Sequence, residues 1–138
     1  MRLRADAKVD LLRRVPLFAG LSKRDLAQIA SVADEVDFDA GKVLIREGER
    51  GREFFVIVDG EVEVRRGDEH VATMGAGDFF GEMALLTHTP RNATVTTTTA
   101  LRALVLADRQ FRALLDHSPS VQIKVLLALA ERLAPHEL

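Results

Sequence analysis

The chain has 138 residues, enough for one domain with its own core, and its 47% hydrophobic and 29% charged content is that of a folded globule. A net charge of −2 gives no general attraction to nucleic acid or anionic membrane, so an anion would have to be captured by locally placed groups. Cysteine is absent, which removes disulfides, thiolate metal sites and a cysteine nucleophile and fits a cytoplasmic protein.

Met1 to Arg14 mixes charge throughout and lacks the apolar stretch of a signal peptide. Asp6 to Arg14 reads as a short amphipathic helix with Val9, Leu11 and Leu12 to one side. Pro16 and Gly20 interrupt the apolar segment Val15 to Leu21, whose Leu17-Phe18 pair is expected to plug the core. Ser22, with Asp25 three residues on, forms a capping box for a second helix that carries Leu26, Ile29, Ala30 and Val32 and ends near Ala33.

From Asp34 the apolar period shortens to two. Val36 and Phe38 alternate with charges, Val43 to Ile45 follow an Ala40-Gly41 turn, and Phe54, Val56 and Val58 alternate on a further strand. Asp59-Gly60 predicts a tight hairpin between Phe55–Val58 and Glu61–Val64. The charged residues around Gly48 and Gly51 read as a solvated, mobile loop. Arg66 to Glu69 form another turn before Val71 to Met74, Gly75 to Asp78 break the chain again, and Thr94–Thr99 and Leu101–Ala107 complete about eight strands. Asp108 caps a third helix to His117. Ser118-Pro119 opens the last, from Ser120 to about Leu133, and it is apolar on most sides, so it should bury more than one face. Its apolar run Val125 to Ala130 is too short to span a bilayer. The expected architecture is α+β: one domain over residues 1–138, with a helical segment 6–33, an eight-stranded antiparallel, jelly-roll-like β-roll 34–107 and two C-terminal helices within 108–134.

The stretch from Phe79 to Val95 carries the chemistry. A turn at Gly81 into a helix-favouring run would leave backbone N–H groups without carbonyl partners, which attracts anions. Arg91 adds a planar, permanent cation suited to phosphate oxygens. Glu82 beside an anion site needs a reason, and a sugar hydroxyl supplies one. These residues point to a small phosphorylated ribose. Read alone, Arg91 and Glu82 could equally pair with each other and hold a loop.

With this stretch set between strands, the chain resembles a cyclic nucleotide-binding domain, the module of the bacterial catabolite activator, cyclic-nucleotide-dependent kinases and cyclic-nucleotide-gated channels. The resemblance runs from about Leu11 to Leu133. Its core is the phosphate-binding cassette, matched by Phe80-Gly81-Glu82-Met83-Ala84-Leu85 and Pro90-Arg91-Asn92-Ala93-Thr94-Val95, with turn glycines at Gly41, Gly48, Gly60 and Gly77. It implies a non-catalytic sensor whose ligand is cAMP or cGMP and which needs no cofactor or metal. Arg91 would pair with the cyclic phosphate, helped by the backbone N–H groups of Ala84 and Asn92. Glu82 would accept the ribose 2′-OH beside the Gly81 backbone. The base would lie against Val71 and Met74, with Met83 nearby, under a lid residue of the last helix: Leu126, Leu129 or Arg132. The same helix would carry the response to an effector domain or a second copy, with no nucleic acid and no membrane span involved.

Two departures leave the base open. Asn92 stands where the family usually has a small residue or a hydroxyl; a threonine there favours cGMP in kinases that resemble this module. No tryptophan or tyrosine is present to cap a purine. Two other functions compete: an interaction domain of the same fold without ligand, and a cupin-like metalloenzyme. The latter needs clustered histidines, yet only His70 and His88 fall in the β region and neither is part of an H-x-H pair.

Overall fold

The computed structural model describes the backbone of residues 2–133 and the side chains of residues 2–130. Two compact units emerge, a helical one from Met1–Val32 with Gln110–Leu138 and a β unit, Ala33–Arg109.

In the helical unit, α1 (Ala5–Arg13) buries Val9 and Leu12, a 3-10 turn at Pro16–Phe18 buries Leu17 and Phe18, and α2 (Lys23–Val32) buries Leu26, Ile29 and Ala30. The predicted capping box is present. Ser22 N–H donates to Asp25 Oδ2 at 3.2 Å and Asp25 N–H donates to Ser22 Oγ at 3.1 Å. Lys124 Nζ donates to the same Asp25 oxygen at 3.1 Å. Burial pushes the Asp25 carboxyl up, but Lys124 and Ser22 together hold it below the usual range. Phe18 meets Phe111 with ring centroids 5.7 Å apart.

α3 spans Asp108–His117 and α4 spans Pro119–Leu133. The composition of α4 predicts burial on more than one face, and within this chain one stripe is covered. Val121 and Val125 are buried, while Ile123, Leu126 and Leu127 are 59%, 65% and 56% exposed. The buried pair is spaced i, i+4, so one stripe is covered and the other apolar positions fall outside it. No helix among the described residues is long and apolar enough to cross a membrane.

The β unit is an antiparallel roll of two four-stranded sheets. One runs β1 (Asp34–Phe38), β8 (Leu101–Ala107), β3 (Glu53–Asp59), β6 (Phe79–Phe80); the other runs β2 (Val43–Ile45), β7 (Thr94–Thr97), β4 (Val62–Arg66), β5 (Glu69–Met74). Alternate residues turn inwards to a core that includes Ile45, Phe55, Ile57, Val62, Val64, Phe80, Val95 and Val105. Phe55 and Phe80 stack with centroids 5.0 Å apart, and Phe79 meets Phe54 edge-on at 6.2 Å.

Asp59-Gly60 does not make the predicted hairpin. β3 pairs with β8 and β6, and β4 pairs with β7 and β5, so this turn passes the chain from one sheet to the other. Gly60 has φ +103°, and a Cβ there would lie 2.4 Å from the Ala100 carbonyl oxygen. Turn chemistry dictated the glycine correctly but not the pairing, because the strand partners are settled by which inward faces meet across the roll. The tight hairpin forms instead between β4 and β5, where Arg66 faces Glu69 across Gly67-Asp68.

Candidate functional site

A cavity of about 480 Å³, a size suited to a small ligand, opens in the β unit. Its apolar wall includes Ile45, Val64, Val71, Ala72 and Met74, and its polar rim comes from Gly81, Glu82, Arg91, Asn92 and Arg66. A second recess of about 340 Å³ adjoins it along Gly81–Ala84 and Thr89–Asn92, sharing Glu82 and Arg91. The structure thus brings Arg91, Asn92, Glu82, Gly81, Val71 and Met74 around one space. Ala84, buried, and Met83, 44% exposed, line the adjoining recess. All lining residues of both belong to the β unit. On α4, which belongs to the helical unit, Leu126 is exposed and Leu129 half-buried; the Arg132 side chain lies outside the described residues.

The cassette is built by a reversal at Gly81. Its φ of +82° starts a single 3-10 turn, Glu82–Leu85, where the sequence predicts a short helix-favouring run. Within it the Ala84 N–H donates to the Gly81 carbonyl at 3.1 Å. The turn therefore leaves fewer unspent N–H groups than an α-helical start would, and more of any anion binding falls to Arg91.

Arg91 is held by groups distant in sequence. Its Nη2 donates to the Glu53 carbonyl at 2.7 Å and its Nη1 to the Gly81 carbonyl at 3.4 Å. Burial lowers its pKa and the Glu53 charge raises it, with a net lowering that still leaves a cation. Both of these hydrogen bonds go to backbone carbonyls, which leaves the guanidinium charge uncompensated by them and further N–H donors for an oxyanion.

The loop before β3 is exposed along its charged residues, as the sequence predicts, and its backbone is tied to the cassette. Gly48 N–H donates to the Arg91 carbonyl and Arg91 N–H to the Glu49 carbonyl, each at 2.8 Å, and Arg50 bridges Pro90. The Arg50 side chain adds a 2.7 Å bond from Nη1 to the His88 carbonyl. The charges solvate the loop's outside while its backbone pairs with the cassette. Gly51 sits against the guanidinium so closely that a Cβ would lie 2.0 Å from Arg91 Nε. The available signal was Gly51 itself, since a missing Cβ lets another group approach the backbone closely, whereas Gly48 serves a turn of positive φ with nothing near where a Cβ would lie.

His88 closes the far end of the cassette through a short hydrogen bond to Asp108 at the head of α3. Burial pushes the Asp108 carboxyl up, but His88, the Arg109 N–H and Arg52 outweigh it and hold the carboxyl below its usual range. A depressed carboxyl stabilises the fold above the unfolded-state pKa of about 3.9 and loses that contribution as pH falls through the lower folded value. His88→Ala is expected to cost about 1–3 kcal/mol at neutral pH and to shrink the acid-induced loss seen in urea melts between neutral and acid pH. An equal acid loss in the variant would contradict the pairing.

Among the described residues no group of three or more His, Cys, Asp or Glu could hold a metal. A family model described as cyclic nucleotide-binding domain matches residues 35–118. The chain is 42% identical over 113 residues to a cAMP-dependent protein kinase regulatory subunit of Mycosarcoma maydis, covering 75% of this chain and 22% of that one. It is 38% identical over 122 residues to a cyclic nucleotide-gated potassium channel of Rhizobium etli, covering 88% and 34%. The N-terminal domain of a transcriptional regulator from Streptomyces coelicolor A3(2) superposes with a TM-score of 0.86 at 32% identity, covering 93% of this chain and 95% of that one. The chain spans about a quarter of the length of the kinase subunits it matches.

Proposed function

Because the chain belongs to the cyclic nucleotide-binding domain family, we propose that it is a non-catalytic, cytoplasmic sensor that takes cAMP or cGMP into the roll cavity and answers through α4. The observation that carries this reading is Arg91: a desolvated cation held on the carbonyls of Gly81 and Glu53, at the rim of a cavity with an apolar far wall. The cyclic phosphate would pair with Arg91, with the Asn92 N–H and a shared Ala84 N–H beside it. The ribose 2′-OH would donate to Glu82, next to the Gly81 backbone. The purine would rest on Val71 and Met74, near Met83.

Ligand would shift α4 only by its differential affinity for two positions of that helix. Leu126, Leu129 or Arg132 would serve as lid, and the output would pass to an effector domain or a second copy. The exposed Ile123, Leu126 and Leu127 are the apolar surface available for either role.

A thermal-shift assay with cAMP, cGMP and plain AMP tests the reading. A cyclic nucleotide at a hundredfold excess over its Kd stabilises by about 2.7 kcal/mol, and AMP should do far less. No shift with either cyclic nucleotide would favour the interaction-domain reading. Glu82→Ala should abolish the preference for a ribose over a 2′-deoxyribose cyclic nucleotide. Equal loss for both sugars would remove Glu82 from the sugar.

A further inference from the structure

Arg66 is a polar group of the cavity for which the phosphate and ribose leave no role. It ends β4, and Val62, Val64 and Arg66 share one parity on that strand. Val62 and Val64 are buried in the roll, whereas Glu63 and Arg65 pair with each other on the opposite face. The register with β7 is unbroken from Val62 to Arg65, so the inward direction carries on to Arg66. The irregularity between Val64 and Arg65 lies in the pairing with β5, where Val71 is the extra residue, left 44% exposed at the cavity. Arg66 thus stands next to the wall of Val64, Val71 and Ala72.

Its Nε donates to the Asn92 carbonyl at 3.1 Å. That bond fixes the base of the fork at the cassette and leaves the terminal amino groups for a ligand. A guanidinium has donors only. Guanine offers two acceptors, O6 and N7, on one edge, while adenine offers one acceptor and one donor. A fork of donors at the rim, next to the apolar wall, therefore suits a purine with an oxygen at position 6.

We infer that Arg66 reads the purine edge and raises the affinity for cGMP relative to cAMP, an inference that rests on the proposed nucleotide site. It concerns the ratio, whichever nucleotide binds better overall. A good bidentate pair discriminates by up to about a hundredfold; Arg66 is exposed to solvent, so the expected effect is about tenfold.

The test is isothermal titration of the chain, Arg66→Ala and Arg66→Gln with cGMP, cAMP and cyclic IMP, whose hypoxanthine keeps O6 and N7 but lacks the 2-amino group. Both variants should lose about ten times more affinity for cGMP and cyclic IMP than for cAMP. Melting temperatures of the ligand-free variants, expected to match that of the parent, show that the fold is intact. The same loss for all three ligands would mean that Arg66 only holds the Asn92 backbone, and overturns the inference. So would a loss confined to cGMP, which would place the contact at the 2-amino group. No binding of any cyclic nucleotide by the unmodified chain would sink the nucleotide site itself, whereas binding with an unchanged ratio sinks only the role of Arg66.

Discussion

Arg91→Ala is expected to weaken cAMP and cGMP binding at least ~10–100-fold in isothermal titration, because a hydrogen bond to a charged group is worth ~1.5–3 kcal/mol and each 1.4 kcal/mol is about tenfold. The surroundings of Arg91 argue for the upper part of that range. Burial already pushes its pKa down, so the guanidinium has lost hydration that an oxyanion would replace, and the attraction acts in a medium less screening than water. The carbonyls of Gly81 and Glu53 fix the fork before any ligand arrives, so little rotamer freedom is lost on binding. Arg91→Lys keeps a charge but cannot reach two carbonyls and a phosphate with one planar group, and should fall between the parent and the alanine variant. Arg91 lies outside the buried apolar cluster of the roll, so the ligand-free protein should still fold. Unchanged affinity in Arg91→Ala would place the phosphate elsewhere.

What could be read from the sequence was what short-range physics decides. The Ser22–Asp25 box is a matter of three residues, and both of its bonds are present. Gly41, Gly60 and Gly77 were placed at turns by their neighbours and Gly48 by the family resemblance, and all four have positive φ. The period-two stretches became strands, although β3 and β8 are buried on both faces and not on one. The partners of those strands were another matter. Asp59-Gly60 satisfies the local rule for a hairpin, yet β3 and β4 lie in different sheets, because pairing is decided by the fit of whole faces across the core.

The site divides in the same way. Arg91 and Glu82 were visible as residue types that phosphate and ribose require, in one continuous stretch. The groups that aim Arg91 were not, since Glu53 lies 38 residues earlier and acts through a carbonyl that every residue possesses. Gly51 was seen but read as loop. Arg66 was read as part of a turn, although its parity with Val62 and Val64 already set it on the inward face.

Gly51 offers a sharper test of that aim than Arg91 itself. Its Cα faces the guanidinium, and an added Cβ would lie 2.0 Å from Arg91 Nε, 2.1 Å from Cζ and 2.6 Å from Nη2. No real contact is that short, so in Gly51→Ala something must move, and the movable group is the end of the arginine side chain. Gly51 is not among the glycines with positive φ, so alanine fits the backbone there without the strain of a left-handed conformation, and the cost to the fold should be that of the displaced hydrogen bond, about 1 kcal/mol. The expected result is a separation of two properties that usually fall together. Melting temperature stays near that of the parent, while cyclic nucleotide affinity drops about tenfold, as the Nη2 bond to the Glu53 carbonyl is lost and the fork turns from the phosphate. A double-mutant cycle decides the cause. If the methyl acts by displacing Arg91, then Gly51→Ala adds almost nothing in the Arg91→Ala background. If it costs the same tenfold there, the loop acts on the ligand by another route, and the arginine is not what Gly51 makes room for.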